Sequence, residues 1–217
     1  MDTKTQFQKN ATILAADGGQ VGSLERLVVN PVTKVLTDIV VRTGTLLNQE
    51  EKVVPIGMVD ETAESQIVLR EEAGDLENFP LFEERHLIDE NVDSALSADD
   101  TPPMFVEYPY LGATSVTPLS DERIVTRVEQ NIPDGTVAMK EGAMVITSEG
   151  NHVGNVERVL VDPSVDQVTH LFISKGLLSK ETKLIPMQWV LTLGEDKVHL
   201  RVRKDSVEAL DPVLVHK

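Results

Sequence analysis

The chain has 217 residues, 41% of them hydrophobic and 4% aromatic, no cysteine, and a formal net charge of −16. Those figures exclude disulfides, thiolate metal sites and a thiol nucleophile, and they leave Val, Leu and Ile to fill the core. The acidity argues against phosphate-backbone and anionic-lipid partners, which need clustered Lys and Arg. The first ten residues are polar and lack a signal-peptide core, and no apolar run reaches the ~18 residues of a membrane helix. The expectation is a soluble, cytoplasmic protein.

A first strand is predicted over 11–15, followed by turn chemistry at Asp17-Gly18-Gly19, since glycine accepts positive φ. A second strand over 21–29 ends at Asn30-Pro31, a favourable start for a type I turn. The third, rich in β-branched residues, covers 35–42. The fourth surrounds Val53-Val54 and stops near Pro55, which cannot donate a ladder hydrogen bond. A fifth over 67–70 precedes a short helical turn near 75–79.

Residues 86–137 read as an acidic, Pro- and aromatic-containing linker. Between Asp60 and Asp100 the only basic residues are Arg70 and Arg85. That charge suits either a solvated, self-repelling spacer or an acidic docking strip. Thr101 to Leu111 reads TPPMFVEYPYL and holds both tyrosines of the chain. Proline there favours extended backbone. Phe105, Tyr108 and Tyr110 either pack back over a sheet edge or are offered to a protein partner. Residues 121–130 are expected as helix or strand, leading into a turn at Asn131-Ile132-Pro133-Asp134-Gly135.

The second half repeats the first. Ala11 to Pro31 reads ATILAADGGQVGSLERLVVNP, and Ala143 to Pro163 reads AMVITSEGNHVGNVERVLVDP. The register continues from Thr37 to Thr169, from Gly44 to Gly176, from Lys52-Val53-Val54-Pro55 to Lys183-Leu184-Ile185-Pro186, and from Ile67-Val68-Leu69 to Val198-His199-Leu200. Strands are therefore predicted over 143–147, 153–161 and 168–174, around Leu184-Ile185 and over 197–202, with a helical turn at 206–210. Five or six short strands in about 70 residues suit a small curled sheet or barrel.

An opening strand, a turn with Gly, a V-G-x-V step, D-P at a hairpin and a lysine-apolar-apolar-proline strand together resemble the PRC-barrel family. The second copy carries them as His152-Val153-Gly154-Asn155-Val156, Asp162-Pro163, Gly176 and Lys183-Leu184-Ile185-Pro186. The first copy departs at Asn30, which starts the same turn. The resemblance implies an all-β chain of two tandem PRC-barrel-like domains, 8–85 and 138–215, joined by the linker at 86–137. PRC-barrel modules occur in the photosynthetic reaction centre H subunit and in the ribosome maturation factor RimM. Docking onto larger assemblies, not catalysis, is what they share.

The residues point the same way. Of His86, His152, His170, His199 and His216, no two are spaced i, i+4 and none lies in a zinc motif. His199 sits between Val198 and Leu200, so it faces away from them and out. Gly18-Gly19 lacks the G-x-x-x-x-G-K spacing of a phosphate loop. Glu25-Arg26 and Glu157-Arg158 place charges inside apolar strands, which suggests a bulge or a barrel-mouth position, with structural ion pairs to cross-strand partners or, alternatively, a ligand-facing arginine. The expectation is a non-enzymatic, protein-binding adaptor without cofactor or metal, docking onto a larger, photosynthetic or membrane-associated assembly. The alternatives are a ribosome-assembly accessory and a small-ligand binder. Similar surfaces pair by isologous contacts, so either the modules form a pseudo-twofold pair or the chain dimerises.

Overall fold

The computed structural model describes residues 5–8, 10–45, 48–63, 65–74, 76–89, 124–175 and 181–213. The described residues are all-β, with one short helix. The N-terminal half contributes β1 (Thr5–Gln8), β2 (Thr12–Leu14), β3 (Gln20–Val29), β4 (Leu36–Thr45), β5 (Asn48–Pro55), β6 (Val59–Ala63) and β7 (Gln66–Leu69). Then come β8 (Glu83–Asp89) and β9 (Ile124–Gln130). The C-terminal half contributes β10 (Val137–Lys140), β11 (Met144–Ile146), β12 (His152–Asp162), β13 (Gln167–Lys175), β14 (Glu181–Pro186), β15 (Val190–Leu193), β16 (Lys197–Leu200) and α1 (Lys204–Glu208). Among the described residues no helix is long and apolar enough to cross a membrane.

Two sheets carry the fold, ordered β5-β4-β3-β2-β7-β6 and β14-β13-β12-β11-β16-β15. The orders correspond position for position. In each, one pair is parallel, β2 with β7 and β11 with β16, and the other neighbours run antiparallel. The predicted strands overlap these elements, several running one or two residues beyond them, and the 3-10 turn Leu76–Asn78 and α1 overlap the expected helical turns.

The leading strands are exchanged. β1 lies on β12 of the other half, from Thr5 opposite Val161 to Gln8 opposite Arg158. β10 lies on β3, from Val137 opposite Val29 to Lys140 opposite Arg26. The tips of the β3–β4 and β12–β13 hairpins interlock by two reciprocal bonds. Leu36 N–H donates to the Asp166 carbonyl and Val168 N–H to the Lys34 carbonyl, each at 2.8 Å. A single hydrophobic cluster runs through both halves, taking in Phe7, Ile13, Leu36, Leu171, Ile185 and Val198. Residues 1–83 and 130–217 accordingly form one compact unit, and residues 84–129 a second.

Sequence reading missed β1 and β10. Four-residue strands such as Thr-Gln-Phe-Gln carry too little alternation to stand out, and their partners are remote in sequence. β6 and β15 were missed for a similar reason, since charged Asp60 and Glu61 interrupt the pattern in one and Thr192 in the other.

The V-G step of each copy has a steric origin. A Cβ on Gly22 would lie 2.5 Å from the Arg42 carbonyl oxygen, and one on Gly154 would lie 2.7 Å from that of Ser174. Gly154 also has φ +152°. The long strand therefore crosses its neighbour too closely for any side chain.

Residues 86–137 hold more than a spacer. β8 pairs with β9, so the two ends of residues 90–123 are brought together. The expectation of helix or strand over 121–130 is met by strand β9. At the ribbon's base, Asn131 N–H donates to the Phe82 carbonyl at 2.9 Å and its side-chain amide to that of Leu81 at 2.8 Å.

Candidate functional site

Each Glu–Arg pair sits at a β-bulge. Leu24 opposes Val41 and Arg26 opposes Val40, leaving Glu25 as the extra residue. Val156 opposes Ile173 and Arg158 opposes Phe172, leaving Glu157 extra in the same way. Glu25 is bonded to the Arg42 guanidinium, and Glu157 accepts from Ser174 Oγ at 2.5 Å. Arg26 is buried, and its guanidinium lies 4.5 Å from the Phe82 ring centroid. It pairs with Glu51 at 3.3 Å and reaches Glu195 of the C-terminal half at 3.5 Å. Glu25 and Arg26 are thus held in structural ion pairs, one of which ties the halves together, while Glu157 is held by a hydroxyl. Arg26 is buried inside this network, although its Nη1, 3.5 Å from Glu195, makes no hydrogen bond.

The lysine of the lysine-apolar-apolar-proline motif closes each sheet's open end. Lys183 Nζ donates to the carbonyls of Val207 and Glu208, at 3.0 and 2.8 Å, at the C-terminal end of α1. The matching Lys52 Nζ reaches the Glu77 carbonyl at 3.4 Å in the corresponding 3-10 turn. A cation suits the carbonyl end of a helical turn because the peptide dipoles point their negative ends there. Beside Lys183 lies a cavity of about 80 Å³, lined by Val153, Lys175, Glu181 and Val207 among others. Beside Lys52 lies a more open one of about 320 Å³, lined by Val21, Thr43, Glu50 and Leu76. Both lysines are thus engaged by backbone carbonyls.

On its outer face the N-terminal sheet carries a second apolar cluster, of Val28, Val40, Val53, Phe82 and Ala138. Asp38 lies two residues from Val40 along β4, on the same face. It is 8% exposed, and its Oδ2 has no hydrogen-bond partner. Burial pushes its carboxyl above the usual range, opposed by a hydrogen bond from Thr37. The folded state therefore favours the protonated form. This contribution to stability is fully present below the ordinary carboxylate pKa and is lost as pH rises through the raised value. Asp38→Asn is expected to stabilise the protein at neutral pH by roughly 1–2 kcal/mol. That gap should close in acid, where wild type carries its proton. Thermal melts of both proteins across the acid range check this, and a gap independent of pH would contradict it. In the C-terminal half the same position is His170.

Among the described residues the remaining histidines assemble no site. His152 Nε2 lies 2.9 Å from Asn155 Oδ1, and His199 is exposed between buried Val198 and Leu200, as its strand position predicts. Among the described residues no group of His, Asp or Glu could hold a metal ion. Phe105, Tyr108 and Tyr110 lie outside the described residues, as does His216. What sequence reading missed is the contact between halves, because it depends on strands whose partners lie more than 100 positions away.

Residues 141–207 match the family model of the PRC-barrel domain. No curated protein matches the chain. The matched stretch takes in β11 to β16 and most of α1, including the bulge at Glu157, the glycine crossing at Gly154 and the closing Lys183. PRC-barrel domains are modules of protein interaction and assembly. The C-terminal half of the chain carries a PRC-barrel domain, at residues 141–207.

Proposed function

We propose that this chain is a non-enzymatic adaptor that docks a protein partner onto a larger cytoplasmic assembly. In this reading residues 8–85 form a second module of the PRC type beside that of 138–215. The two serve as a rigid base, and Phe105, Tyr108 and Tyr110 make the partner contact. The observation that carries the reading is the pairing of β8 with β9. A segment rich in proline and aromatics starts and ends on one ribbon. That geometry suits display of a short peptide better than separation of two domains. Aromatic anchors dominate protein interfaces, and extended proline-containing segments lose little entropy on binding.

Affinity capture from native lysate tests it, using the whole chain and a chain lacking residues 101–111 with an unchanged thermal melt. The expected result is a partner retained by the whole chain and lost with the deletion. Replacing Phe105, Tyr108 and Tyr110 together by serine should weaken that partner by about thirtyfold or more, the worth of one hot-spot side chain. Equal capture by both chains would move the contact onto the sheets. No partner for either would count against the adaptor reading.

A further inference from the structure

The matching halves present two equivalent faces, and these differ in charge. On one, a groove of about 250 Å³ lies between β1, β6 and the β12–β13 hairpin tip, lined by Phe7, Val59, Asp60, Arg70 and Asp166 among others. Its arginine is answered within the groove, with Arg70 Nε 4.0 Å from Asp60. On the other face the repeat register puts Met139 at the place of Phe7, Val190 at that of Val59 and Arg201 at that of Arg70. The two carboxylates are gone. Leu191 stands where Asp60 does, and Lys34 where Asp166 does.

The backbone holds these groups in place. Arg201 N–H donates to the Trp189 carbonyl at 2.9 Å, and its Nη2 reaches the Val190 carbonyl at 3.5 Å. Lys34, at φ +63° on the interlocked hairpin tip, accepts from Val168 N–H at 2.8 Å, and its ammonium is bonded to the Pro31 carbonyl. Burial and then the Arg201 charge lower the Lys34 pKa, so the two cations feel one another. Neither has an ion-pair partner among the described residues. Leu191, next to Val190 whose carbonyl Arg201 reaches, is 61% exposed. Two cations without an ion-pair partner among the described residues, on a face with an exposed leucine, are an unusual patch on a chain of net charge −16.

We propose that this face, built from Lys34 of one half and Arg201 and Leu191 of the other, is a docking site for an acidic peptide segment of a protein partner. The peptide carboxylates lie against Arg201 and Lys34, and a neighbouring apolar side chain covers Leu191. A guanidinium beside an ammonium takes a carboxylate by charge-assisted hydrogen bonds. The exposed apolar neighbour selects a peptide over a bare ion.

Trp189 is the single tryptophan and is half-buried next to Arg201, so its fluorescence reports binding. The full chain is titrated at low salt with a blocked hexapeptide alternating Glu and Leu, with the Gln–Leu counterpart and with inorganic phosphate. The expected result is saturable binding of the Glu–Leu peptide only. It should weaken about tenfold or more in the double variant Lys34→Gln, Arg201→Gln, as for truncation of a charge pair at an interface. It should stay unchanged in Arg70→Gln and in a chain lacking 101–111, so failure of the aromatic-segment reading leaves this result intact. Absence of saturable binding, equal binding by the double variant, or phosphate binding as tightly as the peptide would each overturn the proposal.

Discussion

Phe7→Ala is expected to destabilise the whole core unit by about 3–5 kcal/mol, the usual cost of removing a buried phenylalanine. By sequence this residue belongs to a polar N-terminal arm, where truncation ordinarily costs little. In the structure it is 2% exposed and belongs to the cluster that spans both halves. Its strand pairs with β12 alone, more than 150 residues away, with Phe7 opposite Val159. The loss should therefore appear in the C-terminal half as fully as in the N-terminal half. Urea unfolding checks this. Gln8→Ala, at a half-buried position on the same strand, should shift the midpoint far less. A Phe7→Ala protein as stable as wild type would mean that the arm does not hold the C-terminal sheet.

Gly154→Val should be nearly as damaging, at roughly 3 kcal/mol or more, because two costs combine. The backbone at φ +152° strains any side chain, and the first side-chain atom meets the Ser174 carbonyl oxygen at 2.7 Å. Backbone cannot yield as a flexible side chain can, and moving Ser174 disturbs β13, the central partner of both β12 and β14. Gly22→Val should behave alike against Arg42. Gly57→Ala, with open space around the position, should change little. Midpoints of urea unfolding for the three variants separate these cases, and a tolerated Gly154→Val would remove the steric account of the V-G step.

Much of the fold was legible because the repeat states it twice. A strand with glycine near its start, an Asx-Pro turn and a lysine-led strand recur in register, and each marks a physical need. The glycine admits a close crossing, the Asx side chain caps the hairpin, and the lysine closes the helical turn. Asn30 Oδ1 accepts from Val32 N–H and Thr33 N–H at 2.9 and 3.0 Å, and Asp162 Oδ1 from Ser164 N–H at 2.9 Å, which is why the Asn-for-Asp exchange is harmless. The bulges at Glu25 and Glu157 were legible as charges in apolar strands. The exchange of β1 and β10 was not, because four-residue pairings across the chain leave no local periodicity. The proposed Lys34–Arg201 patch was illegible for the same reason: the two residues stand 167 positions apart and belong to different halves.

The central claim is that the two halves share one core and fold as one. The most direct test is urea unfolding of Leu36→Ala, a fully buried N-terminal position, followed at once by far-UV circular dichroism and by Trp189 fluorescence. The probes are complementary, since dichroism senses all strands and the tryptophan only the C-terminal half. The account predicts one transition, with both curves coincident and shifted together by about 2–5 kcal/mol. A tryptophan transition that stays at the wild-type midpoint while dichroism splits into two steps would contradict it.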